Sequence, residues 1–240
     1  MISIIVPTLN EEKYLPLLLE SIKSNDFSDY EIIIADAGSK DKTIEIAKRY
    51  NCRLIPGGLP AKGRNEGAKV AKGDLLFFVD ADSLLPERFF KNALEEFSRK
   101  NLDFASFGLV PIGGTKINKV AFNMFYNWYI YAVEKTLPHA AMGILAKRDL
   151  FLKLDGYDET IKLAEDHDLS RRAKKIAKYG IIKSTKVHFS DRRFKKDGWF
   201  RTSVKYFLCE LHMIFIGPVR SDIFEYKFDH YSKEKDETKK

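Results

Sequence analysis

Lys72-Gly73-Asp74-Leu75-Leu76-Phe77-Phe78-Val79-Asp80-Ala81-Asp82 is a short apolar run that ends on two carboxylates one residue apart. Its length and its lack of polar alternation read as a fully buried strand over Asp74–Asp80, with the acidic pair at the strand's carboxyl end. Working outward, Ile2–Val6 and Glu31–Asp36 read as further buried strands and Arg53–Ile55 as a short one. Helical periodicity falls on Lys13–Ser24 (Leu15, Leu18, Leu19, Ile22), Asp41–Tyr50, Gly63–Ala71 and Glu87–Arg99. Strands alternating with helices imply an α/β fold, Rossmann-like, with a mainly parallel central sheet and helices on both faces. Such sheets bind ligands beyond the carboxyl ends of their strands. Pro7-Thr8-Leu9-Asn10-Glu11, Asp36-Ala37-Gly38-Ser39 and Asp80-Ala81-Asp82-Ser83 each follow an apolar run directly, as that rule requires. Taken singly, Ser39 and Asp41 also read as turn and cap residues.

The second half is less regular. Leu102–Val110 reads as a strand, Pro111-Ile112-Gly113-Gly114-Thr115 as a flexible loop, and Ile117–Glu134 as an aromatic-rich helix. Its aromatics surround the helix instead of lining one stripe. Packing on both sides is the expectation, with contact against lipid the alternative. Residues after Phe228 are charged and expected to fray.

Composition narrows the class. With 240 residues, 45% of them hydrophobic, the chain can bury a full core. Two cysteines, Cys52 and Cys209, make no disulfide framework and lack metal-site spacing, so a reducing, cytoplasmic compartment is expected. The N-terminus enters a strand without a basic leader, and Tyr206–Gly217, the most apolar late stretch, is too short to span a bilayer. A net charge of +7 and a pI near 9.1 fit a polyanionic partner: nucleotide diphosphate, anionic lipid or nucleic acid. Acidic residues at three strand ends would repel nucleic acid. A dehydrogenase would carry Gly-x-Gly-x-x-Gly after the first strand, and a nucleotidyltransferase a glycine-rich loop; Pro7–Glu12 has no glycine.

Asp80 and Asp82 are hard oxygen donors suited to Mg²⁺ or Mn²⁺, which would neutralise a diphosphate leaving group. Together with Ile4-Ile-Val-Pro-Thr-Leu-Asn-Glu-Glu12, Ile32-Ile-Ile-Ala-Asp-Ala-Gly-Ser-Lys-Asp41, Gly63-Arg-Asn-Glu-Gly-Ala68, Gly156-Tyr-Asp-Glu159 and Ala164-Glu-Asp-His-Asp-Leu169, the Asp-x-Asp pair is one of six motifs in order. The chain thereby resembles glycosyltransferase family 2, inverting enzymes of the GT-A fold, from about Ile2 to Trp199. The resemblance implies residues 1–110 as a nucleotide-sugar-binding half and 111–195 as the acceptor and catalytic half of one GT-A domain. An acceptor-side helical extension over 196–228, a candidate membrane-interfacial segment, and a charged tail over 229–240 follow.

The resemblance also assigns roles. Pro7, Thr8 and Glu11 wall the nucleoside pocket, and Asp36 reads the base edge, since a carboxylate accepts the imide N–H of uracil. Ala37 stands where many members have a second Asp. Arg64 approaches base or diphosphate, Asp80 touches ribose or metal, and Asp82 is the main metal ligand. Glu165 and Asp166 form the Glu-Asp motif, with Asp166 as general base; plain compensation of a helix dipole is the alternative. His188 is a further metal-ligand candidate or a structural histidine. Arg192, Arg193 and Trp199 lie on the diphosphate and acceptor side, or form a solvated basic face. The implied activity is inverting transfer from a UDP-sugar, or a GDP-sugar, to an acceptor hydroxyl. Trp199–Pro218 is the candidate contact with the inner face of a membrane and a lipid-linked acceptor, or a helix packed on the domain. A donor-binding scaffold without activity is the competing reading, with a nucleotidyltransferase behind it.

Overall fold

The protein is described by a computed structural model over residues 1–224; the charged tail expected at 229–240, and the last residues of the 196–228 extension, lie outside the described residues. The first half runs β1 (Ile2–Thr8), α1 (Leu15–Lys23), β2 (Tyr30–Asp36), α2 (Thr43–Arg49), β3 (Arg53–Pro56), α3 (Pro60–Val70), β4 (Leu75–Val79), β5 (Ser83–Leu84) and α4 (Phe89–Arg99). β6 (Phe104–Ile112) leads into α5 (Lys116–Phe122), a π-helical turn (Asn123–Asn127) and α6 (Trp128–Val133). β7 (Gly143–Lys147), α7 (Arg148–Lys153), α8 (Glu165–Ile176), β8 (Tyr179–Ser190), α9 (Arg192–Asp197) and α10 (Trp199–Phe215) complete the chain.

One eight-stranded sheet, ordered β3-β2-β1-β4-β7-β6-β8-β5, runs through both halves. Its first four strands are all parallel, and β1 pairs with β2 so that Thr8 lies opposite Asp36. Beyond β4 the sheet is mixed: β7 is antiparallel to β4 and β6, β6 is parallel to β8, and β5 is antiparallel to β8. The mainly parallel sheet expected is thus all-parallel over β3-β2-β1-β4 and mixed beyond it, where β6 and β8 remain a parallel pair. Apolar residues cover both faces. Ile4, Val6, Phe77, Val79 and Phe89 belong to one core, and Ile5, Ile33, Leu76, Phe78 and Phe104 to the other, which is why β1 and β4 are continuously apolar.

Helix α3 begins at Pro60, three residues before the expected start, because proline at the first turn gives up no hydrogen bond. It lies close on the sheet: a Cβ at Gly67 would collide with Ile5 Cγ2. That approach carries the neighbouring Arg64 over the strand ends. Pro111 and Ile112 belong to β6, so the expected loop reduces to 113–115. Ile117–Glu134 is helical as expected but contains the π turn, which aims Asn127 at β6. Its side chain accepts from the Leu109 N–H and donates to the Leu109 carbonyl, both at 2.8 Å. This clamp sits beside the bulge between Phe107 and Gly108. Phe122, Tyr126 and Ile130 pack inward, while Ile117, Val120, Met124, Phe125 and Trp128 form an outward apolar stripe. Core packing thus accounts for one side of this helix only.

Candidate active site

The loops after β1 and β2 are laced together by short polar side chains. Asn10, in the left-handed region at φ 56°, donates its N–H to Ser39 Oγ and accepts from the Lys40 N–H. Thr43 Oγ accepts the Glu11 N–H, and Asp41 accepts the Glu12 N–H. Asp36 takes hydrogen bonds on both oxygens: the Gly38 and Ser39 N–H groups on Oδ1, and the Thr8 and Ser39 hydroxyls on Oδ2. A carboxylate offers about four lone-pair directions, so Asp36 is first the organiser of this loop pair. A base edge would share or replace one of these bonds. Pro7 and buried Thr8 form the adjoining floor, with Gly63 of α3 against Pro7.

Arg64 is the hub. Only 4% exposed, its guanidinium donates to Asp80 Oδ1 at 2.7 Å and to Glu165 Oε1 at 2.6 Å, and lies 3.7 Å from Asp166 Oδ1. It also sits over the Tyr157 ring, 5.3 Å from its centroid. Burial opposes its charge, but Asp166, Asp80 and Glu165 more than offset that and raise its pKa well above the ordinary value. Residues about 100 positions apart in the chain are thus joined into one cluster. Burial pushes the Asp166 carboxyl up to about 6, reinforced by Glu165 and Asp80 and opposed by Arg64. Ala164, immediately before this pair, is left-handed at φ 63°, a conformation that costs an L-residue roughly 1–2 kcal/mol. That strain sets the entry of α8 and with it the direction of Asp166.

A second cluster forms at Asp82. Arg192 bridges Glu11 with two hydrogen bonds, 2.6 and 2.8 Å, reaches Asp82 Oδ2 with Nε at 2.8 Å, and covers the Tyr14 ring at 4.5 Å. Burial raises the Glu11 carboxyl to about 7; Arg192 pulls it down, while Asp82 and Asp80 push it further up. Asp82 is raised by burial and Asp80 against the pull of Arg192 and Arg193. Burial and the repulsion of neighbouring carboxylates at Glu11 and Asp82 call for positive charge, which Arg192 supplies in this arrangement.

Two expected residues stand elsewhere. His188 lies in β8 in register with Leu84 and Val110, and the charges felt by its ring are Lys119 and Lys186. It forms no close three-ligand group with Asp80 and Asp82 among the described residues. Trp199 packs on Phe194 with ring centroids 4.5 Å apart and on the main core. It anchors the junction of α9 and α10. Supporting residues without an expected role are Asn65, which exchanges hydrogen bonds with the Tyr157 backbone, and Arg172, which donates to the Leu154 and Gly156 carbonyls. Both lie in or beside quoted motifs, yet their partners are distant in sequence.

The geometry agrees with what the chain is similar to. The family model described as glycosyl transferase family 2 matches residues 3–141. The chain belongs to glycosyltransferase family 2. Among its curated relatives, the poly(ribitol-phosphate) beta-N-acetylglucosaminyltransferase TarS of Staphylococcus aureus strain Mu50 is 26% identical over 204 residues, covering 78% of this chain and 35% of that protein. A dolichyl N-acetyl-alpha-D-glucosaminyl phosphate 3-beta-D-2,3-diacetamido-2,3-dideoxy-beta-D-glucuronosyltransferase of Methanococcus voltae is 37% identical over 134 residues, 51% of this chain and 41% of that protein. The chain therefore spans about a third to two fifths of these relatives' lengths. The crystal structure of S. aureus TarS in complex with UDP-GlcNAc superposes with a TM-score of 0.64 at 24% identity, covering 79% of this chain and 58% of that one. The mannosyltransferase PcManGT of Pyrobaculum calidifontis, in complex with GDP-Man and Mn²⁺, gives 0.61 at 19%, covering 79% and 56%. These similarities identify the fold of this family-2 chain as GT-A.

Proposed function

We propose that this family-2 chain transfers a sugar from a nucleotide-diphosphate donor, a UDP-sugar by preference, to an acceptor hydroxyl with inversion at the anomeric carbon. The observation that carries the reading is the Arg64 hub, which ties Asp80 on the nucleotide side to Glu165 and Asp166 in a single buried cluster. In the proposed reaction, Asp166 takes the proton of the acceptor hydroxyl as its oxygen bonds to the anomeric carbon. The bond from that carbon to the diphosphate breaks, and the nucleoside diphosphate leaves with the electron pair. A carboxyl raised to about 6 is ionised at neutral pH yet basic enough to accept a proton. Asp82, with Asp80, would hold Mg²⁺ or Mn²⁺, which supplies charge to the departing diphosphate. Arg192 and Arg193 would meet the same charge, Arg192 exchanging Asp82 and Glu11 for phosphate oxygens; its present pairing with both carboxylates supports that role.

For the acceptor we favour a lipid-linked chain met at the inner face of a membrane. No helix among the described residues is long and apolar enough to cross one. Outward apolar side chains stand on α10, with Phe200 at 84% and Phe215 at 80% exposure, and on α5 and α6; each segment also carries basic residues, Arg201 and Lys205 on the first and Lys116 and Lys119 on the second. Apolar and basic groups on one helix favour an anionic interface, and the M. voltae relative is named for a dolichyl-phosphate acceptor. Sedimentation with anionic and neutral liposomes is expected to show binding to the anionic set; binding to neither removes this part of the reading.

The donor is tested by thermal denaturation with nucleotide diphosphates and their sugars, with and without Mn²⁺ or Mg²⁺, because a ligand of the native state raises its apparent stability. The expected result is metal-dependent stabilisation by UDP and UDP-sugars that is lost in Asp82→Asn. Stabilisation by guanosine nucleotides alone would move the donor class, and none by any nucleotide would overturn the reading.

A further inference from the structure

Behind the α8 entry lies a group of side chains that the transfer reaction does not use. His139 follows α6, His167 sits in the first turn of α8, and Glu210 belongs to α10; their ligand atoms all fall within 4.8 Å of one another. The imidazole rings lie 3.7 Å apart between centroids. His167 Nδ1 is 3.0 Å from Glu210 Oε2, and His139 Nδ1 is 3.9 Å from Oε1, too long for a hydrogen bond. His139 is 5% exposed, and this nitrogen has no hydrogen-bond partner, a state that buried polar atoms rarely keep. The Tyr126 hydroxyl, on a ring that meets His139 edge-on, is likewise buried and unpartnered. We propose that His139, His167 and Glu210 form a second metal site, for Zn²⁺ or a similar borderline divalent ion, separate from the Asp80/Asp82 cluster.

The chemistry fits. Two imidazoles and one carboxylate are a ligand set that zinc accepts in four-coordinate geometry, its ligand atoms about 3.3 Å apart at the usual bond lengths. The residues proposed to hold a cation beside the diphosphate, Asp80 and Asp82, offer oxygen donors only, so the two sites sort ions by softness. Arg171 donates to Glu210 Oε1 at 2.8 Å and to the Met213 carbonyl. It lowers the site's negative charge, but it leaves Oε2 available and orients the carboxylate as an outer partner does. His167 is partly exposed, which gives the ion a way in. A metal here would pin α10 to the first turn of α8, one residue from Asp166, and so hold the acceptor side in place.

The test uses the full chain stripped of metal and titrated with Co²⁺, then Zn²⁺. One equivalent of four-coordinate Co²⁺, seen by its intense visible absorption and displaced by one equivalent of Zn²⁺, is expected. It should persist in Asp82→Asn and weaken roughly 100-fold or more in His139→Asn and in His167→Asn, beyond what loss of an outer partner brings. Absence of this spectrum in the wild-type chain, or its persistence in both histidine variants, would overturn the proposal. Should either variant fail to fold, nitrogen NMR of the wild-type imidazoles decides: Zn²⁺ must shift a ring nitrogen of His139 and of His167, and unshifted rings reject the site.

Discussion

Replacing Arg64 by Met removes the one guanidinium shared by Asp80, Glu165 and Asp166 while keeping a long side chain against the Tyr157 ring. At pH 8 all three carboxylates would then be left in a buried pocket without their partner, and breaking a buried pair in this way costs about 3–5 kcal/mol. For a domain of this size each kcal/mol moves the melting point by about 2–4 °C, so a fall of roughly 6–20 °C is expected. The loss should shrink as pH falls. Asp166, already raised to about 6 beside Arg64, takes up a proton and relieves the repulsion, so at pH 5 the deficit should be less than half of that at pH 8. Urea denaturation of both proteins at the two pH values measures this. A deficit under about 1 kcal/mol at pH 8, or one that grows toward pH 5, would refute the view that Arg64 holds this cluster together by charge.

Three further outcomes follow from the same geometry. Because Asp166 must be ionised to accept a proton, kcat/KM should rise with pH through about 6 and level off above it; a profile flat from pH 5 to 8 would contradict the assignment. The raised carboxyl stabilises the fold when protonated, a contribution present below the unfolded value of about 3.9 and lost as pH rises through about 6. Asp166→Asn should therefore match the wild type near pH 4 and exceed it in melting temperature at pH 8. Asn127→Ala strips the Leu109 N–H and carbonyl of their partners and should cost roughly 2–4 kcal/mol in urea denaturation; a change below about 1 kcal/mol would mean that water replaces the clamp.

The N-terminal half was legible because its strands are apolar on both faces and end on polar motifs; β1, β2 and β4 fall within two residues of the expected bounds. Of the C-terminal half, the helices were legible and the strands were not. β7 is five residues long, and β8 carries Lys183, Ser184 and Lys186 at a bulge, so neither has the pattern of a buried strand. The antiparallel turn of the sheet, and the direction in which His188 faces, depend on that pairing. Asp36 and Asp166 could be picked out by motif, but the saturation of one and the burial of the other come from contacts made by Thr8, Ser39 and Arg64. His139, His167 and Glu210 stand 28 and 43 residues apart. No ligand spacing marks them, and only the packing of α8 on α10 brings them together.

The central claim, that Asp166 is the base of a glycosyl transfer whose donor is held by the Asp80, Asp82 and Arg64 side of the site, is most directly tested with Asp166→Asn. Donor binding by calorimetry and release of nucleoside diphosphate in the presence of acceptor should be measured on the same preparation. Binding is expected to stay near the wild-type value while transfer falls by about 10²–10⁴-fold. Transfer within tenfold of the wild type, with binding intact, would contradict the account.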